Sequence, residues 1–386
     1  MLTATHYDAL EIHRKEKTLI AKFLKPHRVL STCRTNGGLR EDLEYLFNHQ
    51  SCEPSSHTDT DLCIVAVKEP HRYLKRIASK AGLPPEKCAS LGTAANMNNA
   101  AVSKHGYKGL EVIAIATAGV GTNGGRAGDP GSYYQTEDGA SPITAPPPQA
   151  GTINILVFLN QELTAGATVS AATLIAEAKA SVLQELSAPS RYSDGIATGT
   201  GTDQIGIASL IGTQILHTDA NKHSKTGELI ARSVRDALYE ALNLQSGLTP
   251  DSRRSSIAHL QRFGETQESF AQGIQTYLPE KHHKLFTNNF LSVNHDPITV
   301  STIQALVHLR DQITWKTLPQ NCIQEILLNQ ATLIPQAVSH KTINPTDFHQ
   351  FLNGSPLTIE RQDFLTLIHK AFAYGFERKW QGRFED

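Results

Sequence analysis

Apolar and polar positions along this 386-residue chain fall into three textures. Residues 1–26 mix charges with scattered apolar positions and predict a polar helical lead-in. From 27 to 247, apolar runs end on glycine and small polar residues, the pattern of strands entering turns. RVLSTCRT (28–35) reads as a strand ending at Asn36-Gly37-Gly38, and CIVAV (63–67) as a short strand. GTAANMNNAAVSKH (92–105) reads as a helix behind a capping Thr93, whereas LEVIAIATAGV (110–120) and TINILVFLN (152–160) read as buried strands. DPGSYYQTEDGASPITAPPPQA (129–150) is rich in proline and small polar residues and predicts a long surface loop. Helical spacing predicts one helix over 168–186, through Leu174, Ile175, Ala178, Val182 and Leu186, and another over 225–245, with ILHTD (215–219) between them. From about 250 onward glycine becomes scarce and i, i+3, i+4 apolar recurrence predicts an all-helical extension over 251–386.

The order over 110–245 is therefore β-β-α-β-β-α. Two strands in succession favour a mixed or antiparallel sheet over strict βαβ alternation. The expected fold is α/β (mixed α+β): a sandwich-like domain over 27–247 with flanking helices, plus the C-terminal helical extension.

Composition narrows the partners. Lys and Arg number 36 against 37 Asp and Glu, so no global field draws the chain to nucleic acid or an anionic membrane. Its longest apolar runs fall far short of the ~20 residues of a membrane helix. The five cysteines (Cys33, Cys52, Cys63, Cys88, Cys322) show no C-x-x-C spacing, which implies neither a disulfide framework nor a zinc knuckle. A reducing compartment, most simply the cytoplasm, is the expected location, and self-association into a homo-oligomer is left open.

Four glycine-rich polar segments end the strand-like runs: TNGGL (35–39), TAGVGTNGGRAGD (117–129), GTIN (151–154) and TGTGTD (198–203). Ordinary turns account for any one of them. If those strand ends lie on one side of the sheet, they converge on one cleft. GxSxG, HExxH and Walker A patterns do not occur, and GTGTDQ is not GxGxxG. No His/Asp/Glu grouping has metal-ligand spacing, so no catalytic metal is expected.

A run of segments in collinear order resembles the adenosylcobinamide amidohydrolase family of the CbiZ type. RVLSTCRTNGGL, LGTAANMNN, ATAGVGTNGGRAGDP, GTINILVFLN with the helix after it, SRYSDGIATGTGTDQIGIAS and KHSKTGELIARSVRDAL carry the likeness over roughly residues 25–247. The chain departs from the family in reading AEAK (176–179) for TEAK and Thr122-Asn123-Gly124-Gly125 in the first glycine loop. The resemblance implies a hydrolase that cuts the aminopropanol amide of adenosylcobinamide to give adenosylcobyric acid, in corrinoid salvage. The corrinoid is then substrate, and no further cofactor is implied.

Amide hydrolysis needs an activated nucleophile, donors for a tetrahedral oxyanion and a proton for the departing amine. Asp203 is the first candidate for general base, against a turn carboxylate that accepts backbone N–H groups. Glu177, carried by the resemblance and set among small apolar residues, is expected to be partly buried and to act as general acid; a surface salt bridge is its plainer role. Thr200 and Thr202 are candidate nucleophiles if a base lies near, and otherwise ligand contacts. Substrate contacts are expected from Asn36, Gly37, Asn96, Asn123, Arg126, Asp129, Thr152, Asn154, Thr198, Gly199, Gly201 and His223. For Arg126 and His223 an ordinary solvated side chain is the competing account. Two other functions fit the same pattern: a corrinoid-binding or regulatory protein without chemistry, and an amidase for a smaller amide, which needs a narrow pocket where a corrin needs a broad opening.

Overall fold

A computed structural model describes residues 2–51, 62, 65–66, 68–137, 139–143, 151–352 and 354–381. It divides into two compact units, Met1–Thr249 and Pro250–Asp386. Among the described residues no helix is long and apolar enough to cross a membrane.

Among the described residues of the first unit, eleven strands build the two large sheets. β1 (Leu2–His6), β2 (Leu10–Lys15), β3 (Thr18–Phe23), β6 (Tyr45–Gln50) and β7 (Cys88–Thr93) form one, in that spatial order. β5 (Gly38–Arg40), β4 (His27–Ser31), β11 (Gln204–Leu210), β10 (Ile153–Leu159), β9 (Leu110–Ala118) and β8 (Ala101–Tyr107) form the other. Each sheet holds one parallel pair, β6 with β7 and β10 with β11, and every other neighbour is antiparallel. The parallel pairs follow from their connections: helix α1 (Pro70–Ala81) joins β6 to β7, and α2 (Ala165–Glu185) lies between β10 and β11.

The layers follow from which side chains alternate to which face. On β10, Ile153, Ile155, Val157 and Leu159 pack under α2 and α3 (Lys225–Ser246), together with Val112, Ala114 and Ala116 of β9. Leu156 and Phe158 face the other way and meet Leu10, Ile12, Leu46 and Leu91 of the first sheet. That sheet's outer face, through Ile20 and Phe47, is covered by Tyr73, Leu74 and Ile77 of α1. The result is a four-layer helix–sheet–sheet–helix sandwich. A strand buried on both faces needs an unbroken apolar run, which is why LEVIAIATA and INILVFL lack polar alternation. At Gly206 a methyl group would stand 2.8 Å from Leu46 and 3.1 Å from Leu156, so a bare backbone lets the sheets meet there.

Several sequence expectations are corrected. In place of the helical lead-in expected over 1–26, residues 2–23 form the three strands β1 to β3. Apolar positions alternate with period two in β1 and β2 and run together in β3, and tight turns with positive φ at Tyr7, Asp8 and Glu16 connect the strands. Residues 92–105 are the end of β7, a single 3₁₀ turn at Met97–Asn99 and β8, not a helix. Within 129–150 the described residues form a hairpin of Tyr133–Thr136 against Gly139–Pro142, while 144–150 lie outside the described residues. In CIVAV, Val65 and Ala66 are helical, and Cys63, Ile64 and Val67 lie outside the described residues.

The second unit is helical, as its periodicity predicts. Phe263, Phe270, Phe286, Phe348, Phe364, Phe372 and Phe376 are fully buried in its core, which includes the long helices α4 (Pro297–Thr314) and α5 (Arg361–Trp380). Buried ion pairs lie within it: Arg262 with Asp311 at 2.6 Å, and His369 with Glu265 at 2.9 Å.

Candidate active site

β9 ends where β10 and β11 begin, because β10 is antiparallel to the first and parallel to the second. β4 is antiparallel to β11 and ends beside its start, with Ser31 opposite Gly206, so all four glycine-rich segments leave the sheet at one end, and hydrogen bonds knit three of them together. Gly124 and Gly125 pair with Thr200 and Gly199 as a two-residue ribbon. Asn123, wholly buried, donates to the Gly151 carbonyl at 2.8 Å and accepts from the Tyr192 hydroxyl. Thr202 also donates to the Gly151 carbonyl, at 2.9 Å, so Thr152, 2.6 Å from Thr202, must be the donor of that pair. Thr198 accepts from the Ala127 N–H at 2.8 Å.

Asp203 is the centre of this knot. One oxygen accepts from the Ile153 N–H at 3.0 Å and the Thr200 hydroxyl at 2.5 Å. The other accepts from the Thr200 N–H at 3.0 Å and the Lys179 ammonium. An ionised carboxylate offers about four acceptor directions, and here all are taken. Asp203 is thus not the free general base expected from sequence; it is an anchor that orients the Thr200 hydroxyl. Lys179, which sequence reasoning passed over, is nearly as buried as its partner.

Deeper in the same end, between the sheets, lies a small polar core. Asn154 donates to Asn48 at 2.8 Å and to the Gly92 carbonyl at 3.0 Å, and Asn48 donates to Thr117 at 2.9 Å. Gln204 accepts from the Gly92 N–H at 2.8 Å. The Asn154 carboxamide oxygen is buried with no hydrogen-bond partner among the described residues. Of this cluster the sequence singles out Asn154, and the Asn-His-Gln break in strand β6 is the sign of the rest.

The remaining candidates divide. Asp129 and Arg126 shape the loop rather than leave it. Burial alone would raise the Asp129 carboxyl, but hydroxyls of Ser190 and Ser193 and the Arg126 N–H together hold it below the usual carboxylate range. The Arg126 guanidinium donates to the Ile196 carbonyl. Asn96 caps the short turn at Met97–Asn99, and its N–H meets Gln245 near the carboxyl end of α3, beside Gly119. Gly201 is exposed at the mouth, with Asn123 behind it.

Four expected site residues lie outside this knot. Asn36 is spent on the carbonyls of Pro85 and Cys88, at the opposite end of β7 from Gly92, and Gly37 folds against the Cys33 carbonyl. His223 is exposed just ahead of α3, about 30 Å along that helix from Gln245. Glu177 is exposed and pairs with Lys222. Residues two apart on a helix point about 200° from one another. Lys179 reaches Asp203 from one flank of α2, so Glu177 faces away. An open hollow of about 410 Å³ also lies far from the glycine turns, lined by Tyr107, His217, Lys225 and Thr226. The weight of ordered polar contacts, rather than concavity, makes the glycine-turn end the candidate site.

The family model for adenosylcobinamide amidohydrolase (CbiZ) matches residues 3–250. The chain belongs to that family. The match spans the whole sandwich, including β1–β3, and stops where the second unit begins. An uncharacterized protein of Methanocaldococcus jannaschii, MJ1613, is 34% identical over 235 residues, which is 58% of this chain and 86% of that protein. A crystal structure of the PH0078 protein from Pyrococcus horikoshii OT3 aligns over 61% of this chain and 83% of that one at 10% identity, with a TM-score of 0.27, a likeness too slight to argue from. Within the family segments, the AEAK departure replaces a threonine by Ala176, an exposed position on the solvent side of α2.

Proposed function

We propose that the sandwich hydrolyses the amide joining aminopropanol to adenosylcobinamide, releasing adenosylcobyric acid and 1-amino-2-propanol. The observation that carries this reading is family membership over 3–250, a span that contains all three interlocked glycine turns. Water adds its hydroxyl to the amide carbonyl carbon, the C–N bond breaks, and the departing nitrogen takes up a proton. The turns around 121–125 and 199–203 offer backbone N–H groups suited to the tetrahedral oxyanion. The Thr200 hydroxyl, aligned on Asp203, is the group proposed to meet the reacting carbonyl. Carboxamides and hydroxyls at the mouth and behind it, from Asn123, Thr152, Thr202 and Asn154, suit a substrate whose rim is itself studded with amides. A corrin ring needs an open face, which an exposed mouth at Gly201 and Thr202 supplies.

The test is direct: purified protein incubated with adenosylcobinamide, products followed by mass. Adenosylcobyric acid and aminopropanol are expected, and their absence across about pH 6 to 9 overturns the reading. One observation favours a second reading, corrinoid binding without turnover: Asp203 is saturated and Glu177 is on the surface, so neither is a free acid or base. Tight adenosylcobinamide binding with no product would establish it.

A further inference from the structure

Resting on the hydrolase reading, we propose that Lys179 is a positioning residue of this site. It acts through Asp203, fixing the carboxylate so that the Thr200 hydroxyl and the TGTGTD turn present one geometry to the scissile amide.

The argument starts from an unusual placement. A lysine in a helix of small residues ordinarily extends into solvent. The Lys179 side chain is instead only 16% exposed, and its ammonium ends on Asp203, itself 12% exposed. Burying such a pair is a weak route to stability, since well-packed apolar groups serve as well. Its value lies in geometry. Two of the other three donors to Asp203 come from Thr200 within the turn, and the third is the N–H of Ile153 at the start of β10. Lys179 is the donor that comes from α2, so it ties the turn to the rigid layer behind it.

Gly199 supports the same view. A side chain there would collide with the Asp203 oxygen and stand 2.8 Å from the Lys179 nitrogen, so the turn leaves room for this pair and little else. Removing the ammonium leaves Asp203 three bonds, enough to keep the turn folded but free to rotate on the carboxylate side. Small misplacements of a reacting group cost large factors in turnover while binding is spared.

The experiment compares Lys179→Met and Lys179→Arg in the full chain with wild type. Lys179→Met leaves the part-buried Asp203 carboxylate without its cation. It is therefore expected to melt several degrees below wild type yet stay folded at assay temperature, keep KM within about threefold and lose at least tenfold in kcat; Lys179→Arg should recover much of that loss. The ¹⁵N–¹H resonances of Ile153 and Thr200, whose N–H groups bond Asp203, should move in Lys179→Met and return toward wild type in Lys179→Arg. Wild-type kcat in Lys179→Met, or unmoved resonances, overturns the proposal while leaving the hydrolase reading intact. Should Lys179→Met not fold, Lys179→Gln replaces it under the same criteria. If wild type turns over no adenosylcobinamide, the hydrolase reading falls on its own. The two resonances and adenosylcobinamide affinity then decide: no change in either overturns the role of Lys179.

Discussion

At Gly199 there is room for a hydrogen and nothing larger, because the Asp203 oxygen and the Lys179 nitrogen close over the Cα. Gly199→Ala must push that pair apart or bend the ribbon it forms with Gly125. The expected cost is about 1–3 kcal/mol, the usual range for overpacking, read as a lower urea midpoint, with activity falling further than stability. Glu177 gives the contrast. Its partner Lys222 is 66% exposed and it is itself 51% exposed, so solvent screens the pair. Glu177→Gln is expected to change stability by less than about 0.5 kcal/mol and turnover by less than about twofold, measured beside Asp203→Asn, which should be nearly inactive. Strong loss in Glu177→Gln alone would place the acid–base chemistry on the wrong flank of α2.

A short helix in the second unit, Ser256–Leu260, carries an acid-sensitive group of its own. Burial foremost, with the nearby charges of Arg253 and Arg262, lowers His259 from its ordinary value to about 4, although its bond to the Arg253 carbonyl pulls the other way. In the unfolded chain a histidine titrates near 6.5. Between those values the unfolded state binds more protons, so stability is complete above about 6.5 and declines as pH falls toward 4. Both tryptophans, Trp315 and Trp380, belong to this unit, so fluorescence follows its unfolding alone. Urea midpoints by fluorescence should drop between pH 7 and pH 5, and His259→Gln should flatten that drop. An identical pH dependence in the variant would overturn the assignment to His259. Burial alone would raise the Glu265 carboxyl, but bonds from His369 and Ser269 hold it below its ordinary value, so its contribution is lost only below the ordinary carboxylate range.

Over the whole molecule, each unit has its own core, one of aliphatic residues between sheets and helices, the other crowded with phenylalanine. The family match ends with the first. A chain ending at Thr249 is therefore expected to fold and to keep kcat and KM for adenosylcobinamide within about threefold. An insoluble or inactive fragment would mean that the helical unit is needed for the chemistry.

What the sequence alone determined was local. Apolar runs without alternation marked β9 and β10 as strands buried on both faces, helical spacing marked α2, α3 and the second unit, and glycine at strand ends marked the turns of the site. These features follow from burial periodicity, which a dozen neighbouring residues express by themselves. Tertiary structure decided whatever depends on partners distant in the chain. Residues 2–23 became strands because β6 offered an edge for β3 to pair with. TNGGL stayed out of the hydrogen-bonded knot, although β4 ends beside the start of β11, because Asn36 found the carbonyls of Pro85 and Cys88. And of two charged residues in AEAK, helix geometry sent Glu177 to water and Lys179 to Asp203, a choice settled only by where β11 begins, some two dozen residues further along the chain.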